Sequence, residues 1–277
     1  MPANIQFSNW NDWHLVSCFD KASSCYISES VAMGVDKIES VAFLKALTEY
    51  CERRFSKESL DSAAKVTLRS DGFAAYPVDN TSEVNSLKEA RNNAFNEALE
   101  RYLWANWWDN PCIGHKIENW DNADSDRLKN YFSLQSIKLI TVVNPTRQKS
   151  LLILLAESTN KGYFTGGAAG SQDGISGTIS RAFGELLRHL VVFQRMSKAV
   201  ETELTFYEKR LFGFGSGKWN DKVQNRINSY GNQNIIVGKL LIDKIISHSN
   251  MDIVAVHRCL FENQPVFMGG DIGRLCI

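Results

Sequence analysis

Two segments of the sequence carry a pair of glutamates and an arginine at the spacing of one helical turn. They are Glu49-x-x-Glu52-Arg53, within KALTEYCERR, and Glu97-x-x-Glu100-Arg101, within AFNEALERY. Each leading glutamate closes an Ala-(Leu/Phe)-x-Glu figure, and residues 182–185, AFGE, repeat that figure with no second glutamate after it. Positions i, i+3 and i+4 lie on one face of an α-helix, so each doublet and its arginine form a single charged stripe.

Such a stripe has an ordinary interpretation. A solvated amphipathic helix often carries charge pairs of this kind, each worth a few tenths of a kcal/mol. The recurrence of the stripe beside apolar positions, after similar preceding segments, favours a second interpretation in which the helices converge on one centre. Carboxylates brought together raise one another's pKa, so a converged cluster needs a cation.

The chemistry of the cluster indicates which cation. Oxygen ligands without Cys or His favour Mg²⁺, which usually keeps coordination sites for water and phosphate oxygens. Arginines near the glutamates can pair with carboxylates or bind phosphate through two parallel hydrogen bonds. These arginines are Arg53, Arg101, Arg181 and Arg188. The expected ligand is therefore a nucleoside triphosphate with magnesium.

Composition limits the other classes of function. The chain has 277 residues with 31 basic and 31 acidic side chains, so its zero net charge offers no general attraction for nucleic acid or an anionic membrane. No basic-then-apolar signal opens it, and no apolar run approaches the roughly 18 residues of a membrane helix. Six scattered cysteines without a Cys-x-x-Cys pair indicate reduced thiols, among them Cys51 as a packing residue, and five scattered histidines indicate no His-based site. We expect a cytoplasmic protein.

Hydrophobic periodicity predicts alternating helices and strands. Helices are predicted over 36–55, 86–108, 128–134, 175–193 and 237–247. Strands are predicted over 13–19, 24–28, 66–75, 137–143, 151–156, 253–256 and 265–268. Loops or connections are predicted over 109–126, over 163–174 and over 213–217, the last two being rich in glycine. The intermingled elements indicate a mixed α/β or α+β fold, which we expect to form a single domain over 1–277.

Three further segments have competing interpretations. The glycines of 163–174 could cradle a phosphate, but they lack the spacing of known phosphate loops, which favours a connecting turn. Three tryptophans in LWANWWDN, 103–110, are interpreted as core packing at a helix end, with a peptide- or base-stacking surface as the alternative. The segment 213–219, GFGSGKW, is interpreted as a mobile loop, with substrate gating as the alternative.

The motifs resemble, in their order, those of the YcaO family. The resemblance is carried by KALTEYCERR at 45–54, by SDGFAA at 70–75 leading into the second glutamate doublet, and by GGAAGSQDGISGTISRAFGELLR at 166–188. It covers residues 34–190 well and the remainder loosely. It implies a YcaO-like ATP-binding domain, in which pseudo-repeated helices bearing the glutamates pack on β-sheet and no P-loop is used.

The resemblance also implies roles for individual residues. Magnesium would be bound by the glutamates of the three helices, Glu49, Glu97, Glu100 and Glu185. The nucleotide would be contacted by Glu52, Arg53, Asn93, Arg101, Arg181 and Arg188. No residue is assigned as a general base.

The implied reaction is the ATP-dependent activation of a backbone amide in a ribosomally made precursor peptide. Attack by a Cys, Ser or Thr side chain would give an azoline by cyclodehydration, whereas sulfide or an amine would give a thioamide or an amidine. An E1-like or other partner protein is implied, the oligomeric state is left open with a homodimer included, and no nucleic acid or membrane partner is expected.

Two positions depart from the family pattern. Lys45 stands where a serine is usual, and Arg188-His189 stand where a glutamine is usual. They favour one alternative from a different class of function, a degenerate member that has lost ATPase activity and serves as a scaffold or binding subunit.

Overall fold

The computed structural model describes most of the chain. The described residues are Pro2, 4–19, 31–58, 71–77, 83–144, 148–171, 174–196, Leu204, 206–246, 254–266 and 273–275. They form two compact units, the first from Met1–Tyr102 and Gly238–Met268, the second from Leu103–Val237 and Gly269–Ile277. The expectation of a single domain stays a prediction.

The described residues contain both helices and strands, in mixed order. Along the chain these are β1 (Asn4–Trp10), β2 (Trp13–Phe19), β3 (Val31–Asp36), α1 (Glu39–Glu58), β4 (Gly72–Pro77), α2 (Glu83–Asp109), β5 (Lys116–Asn119), α3 (Ala123–Phe132), β6 (Leu134–Asn144), β7 (Lys149–Ser158), β8 (Tyr163–Ser171), α4 (Ile175–Met196), α5 (Phe206–Gly215), α6 (Asn220–Ile227), β9 (Leu240–Ile245) and β10 (Val254–Phe261). The mixed α+β fold is confirmed.

The first unit contains two antiparallel sheets, with strand orders β1-β2-β3 and β4-β10-β9. Helix α1 packs on β2, β3 and β4. Its buried residues Ala42, Ala46 and Tyr50 recur every four positions, and they join Val16 and Phe73 of the strands in one core cluster. The helical period of the sequence therefore selects the face of α1 that is buried.

The second unit contains one antiparallel sheet of order β5-β6-β7-β8. Helix α4 packs on β8 and β7, and the residues Ser150–Ala156 of β7 are buried without interruption. A strand buried on both faces reads as a continuous apolar run, which is why LLILLA predicted it. Trp104 and Trp107 are fully buried, so the interpretation of these two tryptophans as core residues is confirmed.

The three glutamate-bearing helices share one packing device, a glycine on the strand beneath. A Cβ atom at Gly72 of β4 would overlap the Ala94 carbonyl oxygen of α2, and one at Gly166 of β8 would overlap the Ala182 carbonyl oxygen of α4. Gly34 of β3 does the same beneath Ala42 of α1, one helical turn earlier relative to the glutamate. The repeat found in sequence is thus a repeat of close helix-on-strand contact.

Two glycine-rich segments predicted as connections are part of regular elements. The strand β8 occupies most of 163–174, and its glycines and alanines are there because α4 lies too close for larger side chains. The segment 213–217 mostly belongs to the end of α5, where Gly213 lies against the Trp219 ring and Gly215 against Phe164 and Phe193. The predictions for 163–171 and 213–215 were wrong because glycine was interpreted as a turn signal where tertiary packing requires it, whereas 216–217 form a turn as predicted.

Other predicted elements need smaller corrections. Where the helix 237–247 was predicted, Leu240–Ile245 form the strand β9, because their backbone pairs with β10. The predicted loop 109–126 contains β5 and the start of α3, whose first turn is capped by the Asn122 side chain accepting from the Ser125 amide at 2.8 Å. Strands 24–28 and 66–70 lie outside the described residues, as do 267–268, whereas 265–266 is irregular.

No helix among the described residues is both long and apolar enough to cross a membrane. Of the described cysteines, Cys18, Cys51 and Cys259 are buried free thiols and Cys112 is an exposed free thiol. Cys51 belongs to the core cluster, which confirms its interpretation as a packing residue.

Candidate functional site

Glu49 reaches from the middle of α1 to the backbone of β3. Its Oε2 accepts a hydrogen bond from the Met33 amide at 2.8 Å, and its Oε1 accepts from Arg53 Nη2 at 2.5 Å. Both side chains are mostly buried, with 21% of Glu49 and 29% of Arg53 exposed. The predicted stripe is therefore real on α1, and Arg53 pairs with the leading glutamate.

Glu97 repeats this arrangement on α2. Its Oε2 accepts from the Phe73 amide of β4 at 2.6 Å, and its Oε1 accepts from Arg101 Nη2. Arg101 also donates from Nη1 to the Asp71 carbonyl oxygen, so it connects α2 to the residue before β4. The two leading glutamates thus have matching partners, a strand amide and the arginine one turn later.

Glu52 is the point at which the two stripes meet. Its Oε1 accepts from the Ala75 amide of β4 at 2.7 Å. Burial raises the pKa of Glu52 well above its ordinary value, and repulsion from Glu97 and Glu49 raises it further. Burial is also the largest reason why the pKa of Glu97 is raised, with Glu49 and Asp71 adding to it against the opposing effect of Arg101. The first unit therefore brings three of the predicted glutamates into one electrostatically coupled group.

Asp71 is a carboxylate of this neighbourhood that sequence reasoning left unassigned. Its side chain is 3% exposed and pairs through Oδ2 with Arg258 Nε of β10, while Oδ1 is buried without a hydrogen-bond partner among the described residues. Such a buried acceptor is costly unless a ligand, ion or water satisfies it. The available signal was an acidic residue directly before the glycine of SDGFAA.

The remaining predicted residues of the first unit occupy α2. Asn93 is exposed one turn before Glu97, and Glu100 is half-buried one turn after it.

Lys45 of α1 does not pair with the glutamates. It donates to Asp36 Oδ2 at 2.7 Å and to the Val35 carbonyl oxygen at 3.2 Å. Burial raises the pKa of Asp36, but the hydrogen bond and charge of Lys45 help to lower it below its ordinary value. Lys45 is therefore paired with Asp36 and not with the glutamates.

The third glutamate helix belongs to the second unit. Glu185 is 41% exposed on its side chain and lies 3.6 Å from Arg188 Nη1, which is itself almost buried. Arg181 donates from Nη2 to the Ala169 carbonyl oxygen of β8 at 2.7 Å. His189 is buried between the Thr165 carbonyl oxygen and the Tyr207 hydroxyl, and burial together with Arg188 lowers its pKa to about 4. His189 is therefore neutral at physiological pH.

The carboxylate group has a consequence for stability. The Glu52 carboxyl loses its proton near pH 4.5 in the unfolded chain and at a higher pH in the folded chain. Its contribution is therefore fully present below about pH 4.5 and is lost as the pH rises through the raised value. We expect the melting temperature of the magnesium-free chain to fall over this window.

Thermal unfolding without magnesium as a function of pH measures this effect. Glu52→Gln, which cannot ionise, should flatten the fall and raise the melting temperature at neutral pH. Glu118→Gln, on the exposed β5, is the matched control and should keep the wild-type profile. An identical pH profile for Glu52→Gln and the wild type would contradict the coupling.

Comparisons with known proteins show which solved structures have a similar fold. No protein-family model matches the sequence, and no curated protein matches it significantly. One similar solved structure is a chain of the E. coli microcin synthetase McbBCD complex with pro-MccB17 bound, at a TM-score of 0.62 and 13% identity, covering 94% of this chain and 87% of that chain.

A second similar structure is YcaO from Methanopyrus kandleri bound with AMPPCP and Mg²⁺. It matches with a TM-score of 0.59 and 11% identity, over 99% of this chain and 89% of that chain. At such low identity the likeness concerns the path of the backbone. It confirms the resemblance that the order of the motifs indicated, and the chain has the YcaO fold.

Proposed function

We propose that this protein is an ATP- and Mg²⁺-dependent enzyme that activates a backbone amide of a ribosomally synthesised peptide. The cyclodehydration of a Cys, Ser or Thr residue to an azoline is the reaction we assign, with thioamide or amidine formation as variants of the same activation. The observation that carries the proposal is the coupled group of Glu49, Glu52 and Glu97. The YcaO fold and the magnesium nucleotide bound by one similar structure support it.

The group fits a hard divalent cation. Its donors are carboxylate oxygens, its charge exceeds that of Arg53 and Arg101, and burial together with mutual repulsion raises the pKa values of two members. Mg²⁺ would relieve this repulsion, and Asp71 Oδ1 is a further acceptor without a partner among the described residues. We assign the metal-binding role to Glu49, Glu97, Glu100 and Glu185, as the resemblance implies.

The protein's contribution to phosphoryl transfer is positioning and neutralisation of charge. Strand amides hold Glu49 and Glu97 in fixed orientations, and Arg53 and Arg101 hold their second oxygens, so these two assigned ligands are already ordered. When bound, Mg²⁺ neutralises charge on the triphosphate. The glutamates that pair with arginine stay close to the strand amides because a glycine of each strand allows the helix to pack closely against it.

The proposed reaction replaces the carbon–oxygen double bond of the amide with a bond to the heteroatom and a carbon–nitrogen double bond. The Cys, Ser or Thr heteroatom loses its proton and bonds to the amide carbon, and the amide oxygen, which keeps the former π electrons, bonds to the γ-phosphorus of ATP as ADP leaves. The remaining carbon–oxygen bond then breaks, inorganic phosphate departs with the amide oxygen, and the amide nitrogen loses its proton and forms the double bond to carbon. Each ring formed removes the elements of one water from the peptide.

The position of Lys45 favours this enzyme over a degenerate scaffold. The lysine was one reason to consider a degenerate member, and its ammonium pairs with Asp36 and not with the glutamates of the coupled group. Arg188, the second unusual residue, lies beside Glu185. For the proposed precursor peptide and the E1-like partner, the McbBCD complex with its bound peptide is the supporting comparison.

Titration calorimetry with ATP tests the proposal. The wild-type chain should bind ATP in the presence of Mg²⁺ and lose that binding when EDTA removes the metal. Glu97→Gln should lose the magnesium-dependent binding while it folds, whereas Glu118→Gln should bind as the wild type does. Absence of nucleotide binding by the folded wild type would exclude the enzyme.

Mass spectrometry of a treated precursor peptide distinguishes the products. Loss of one water per modified residue supports azoline formation, and exchange of oxygen for sulfur supports a thioamide. Binding of the peptide in the presence of ATP, without any change in its mass, would favour the alternative of a scaffold or binding subunit.

A further inference from the structure

A second group of reactive side chains lies in the first unit, on the strands β9 and β10. His257 and Cys259 are two residues apart on β10, so their side chains project to the same face. Asp243 of β9 stands directly opposite Cys259 in the antiparallel register. One ligand atom from each of the three residues lies within 4.8 Å of the others.

The distances within this triad are close to those of a metal site. His257 Nε2 lies 2.7 Å from Asp243 Oδ1, and Cys259 Sγ lies 3.8 Å from the same oxygen. His257 and Cys259 are buried, with 5% and 0% of their surface exposed. Three ligands about 2.0–2.3 Å from one cation stand between three and four ångströms from one another, so small movements would complete the coordination.

His257 is not a satisfied core histidine. Its Nδ1 is buried and has no hydrogen-bond partner among the described residues, whereas its Nε2 lies 2.7 Å from Asp243 Oδ1. A buried nitrogen without a partner costs free energy that a purely structural role does not require. The imidazole presents its Nε2 to the Asp243 carboxylate, which is the orientation that a metal-binding role at the triad requires.

We propose that Asp243, His257 and Cys259 bind one divalent cation of the zinc class. A nitrogen, a sulfur and an oxygen ligand suit a borderline-soft tetrahedral ion and disfavour Mg²⁺ or Ca²⁺. Three protein ligands leave the fourth position for a water molecule or a small anion. This site is separate from the glutamate group, whose donors are oxygens alone.

Arg91 of α2 supplies the supporting contact that such a site needs. Its Nε lies 2.9 Å from Asp243 Oδ1 and 3.0 Å from Oδ2, and its Nη2 lies 2.5 Å from Oδ2. Carboxylates that bind metals are usually held by a hydrogen-bond donor behind them. Arg91 keeps Asp243 ionised, lowering its pKa to about 2, and it fixes Oδ2 while Oδ1 faces His257 and Cys259.

Cys259 is the sulfur ligand of the proposed site. Burial raises the pKa of its thiol to about 12, and the Asp243 carboxylate contributes to the rise, so without a cation the residue is a neutral thiol. A bound cation takes the thiolate, and the thiol proton is released to solvent. The competing interpretation is a structural Arg91–Asp243–His257 network beside an inert thiol, which predicts no metal binding.

Cobalt is the probe that separates these interpretations. The full chain, stripped of metal with EDTA, is titrated with Co²⁺ while the thiolate-to-cobalt charge-transfer absorption is followed in the near ultraviolet. The wild type should show this band at about one equivalent, release about one proton per cobalt bound, and lose the band when Zn²⁺ is added. Cys259→Ser should lack the band, whereas Cys112→Ser, at an exposed thiol, should keep it.

Two outcomes would overturn the proposal, a wild type without the band and a Cys259→Ser variant that retains it. Should Cys259→Ser fail to fold, His257→Gln keeps the thiol and should bind Co²⁺ at least about tenfold more weakly. Wild-type affinity in His257→Gln would equally overturn the site. Cys259→Ser should still bind ATP with Mg²⁺, so failure of this proposal leaves the glutamate site untouched.

Discussion

Gly72→Ala should destabilise the first unit by about 1–3 kcal/mol and abolish magnesium-dependent ATP binding. The new methyl group would overlap the Ala94 carbonyl oxygen and the Ala98 amide nitrogen, which are backbone atoms of α2. Backbone cannot rotate away as a flexible side chain can, so the helix must move off the strand. That movement would break the bond between the Phe73 amide and Glu97. Chemical unfolding and titration calorimetry measure the two effects.

Gly177→Ala is the matched control for this substitution. A Cβ at Gly177, in the first turn of α4, meets nothing within 4 Å, and alanine favours a helix by about 0.5–1 kcal/mol over glycine. This variant should be neutral or more stable and should bind ATP as the wild type does. Equal behaviour of the two variants would contradict the close contact at Gly72.

The glutamate doublets were predictable because helical periodicity records which residues share a face. The positions of Glu49, Glu52 and Glu97 on one coupled group follow from that periodicity together with the charge argument. Their strand partners were not predictable, since the Met33 and Phe73 amides become partners only through the packing of helix on strand. The sequence shows which face carries the charge and does not show what that face meets.

Glycine-rich segments were the main source of error in the predicted fold. The glycines of β8 permit contact with α4, and those of α5 permit contact with aromatic rings, although the same composition is typical of turns. The strand β9 was missed for a related reason, because pairing with β10 decides the conformation of a short apolar run. The triad of Asp243, His257 and Cys259 could not be predicted from the sequence, since only the pairing register of β9 with β10 brings Asp243 close to the other two residues.

A buried arginine of the second unit lies against the last turn of α2. Arg226 is 4% exposed, and its guanidinium lies 4.4 Å above the Trp107 ring. Its Nε donates to the Trp107 carbonyl oxygen at 2.5 Å and its Nη2 to the Ile113 carbonyl oxygen at 3.0 Å. Burial lowers the pKa of Arg226 to about 10, so it stays charged at neutral pH. Trp107 lies in the last turn of α2, where carbonyl oxygens lack helical partners and a cation is favourable.

Arg226→Met should therefore lower the free energy of unfolding by about 2–6 kcal/mol, from about 1–3 kcal/mol for each carbonyl left without a donor. Methionine retains much of the packing against Trp107, so the loss reports the hydrogen bonds and charge. Arg226→Lys keeps the charge without the planar fork, and it should fall between Met and the wild type. Arg127→Met, at a side chain that is 52% exposed on α3, should change stability by less than about 0.5 kcal/mol. Chemical denaturation of the four proteins gives the order, and an Arg226→Met variant as stable as Arg127→Met would show that water satisfies these carbonyls equally well.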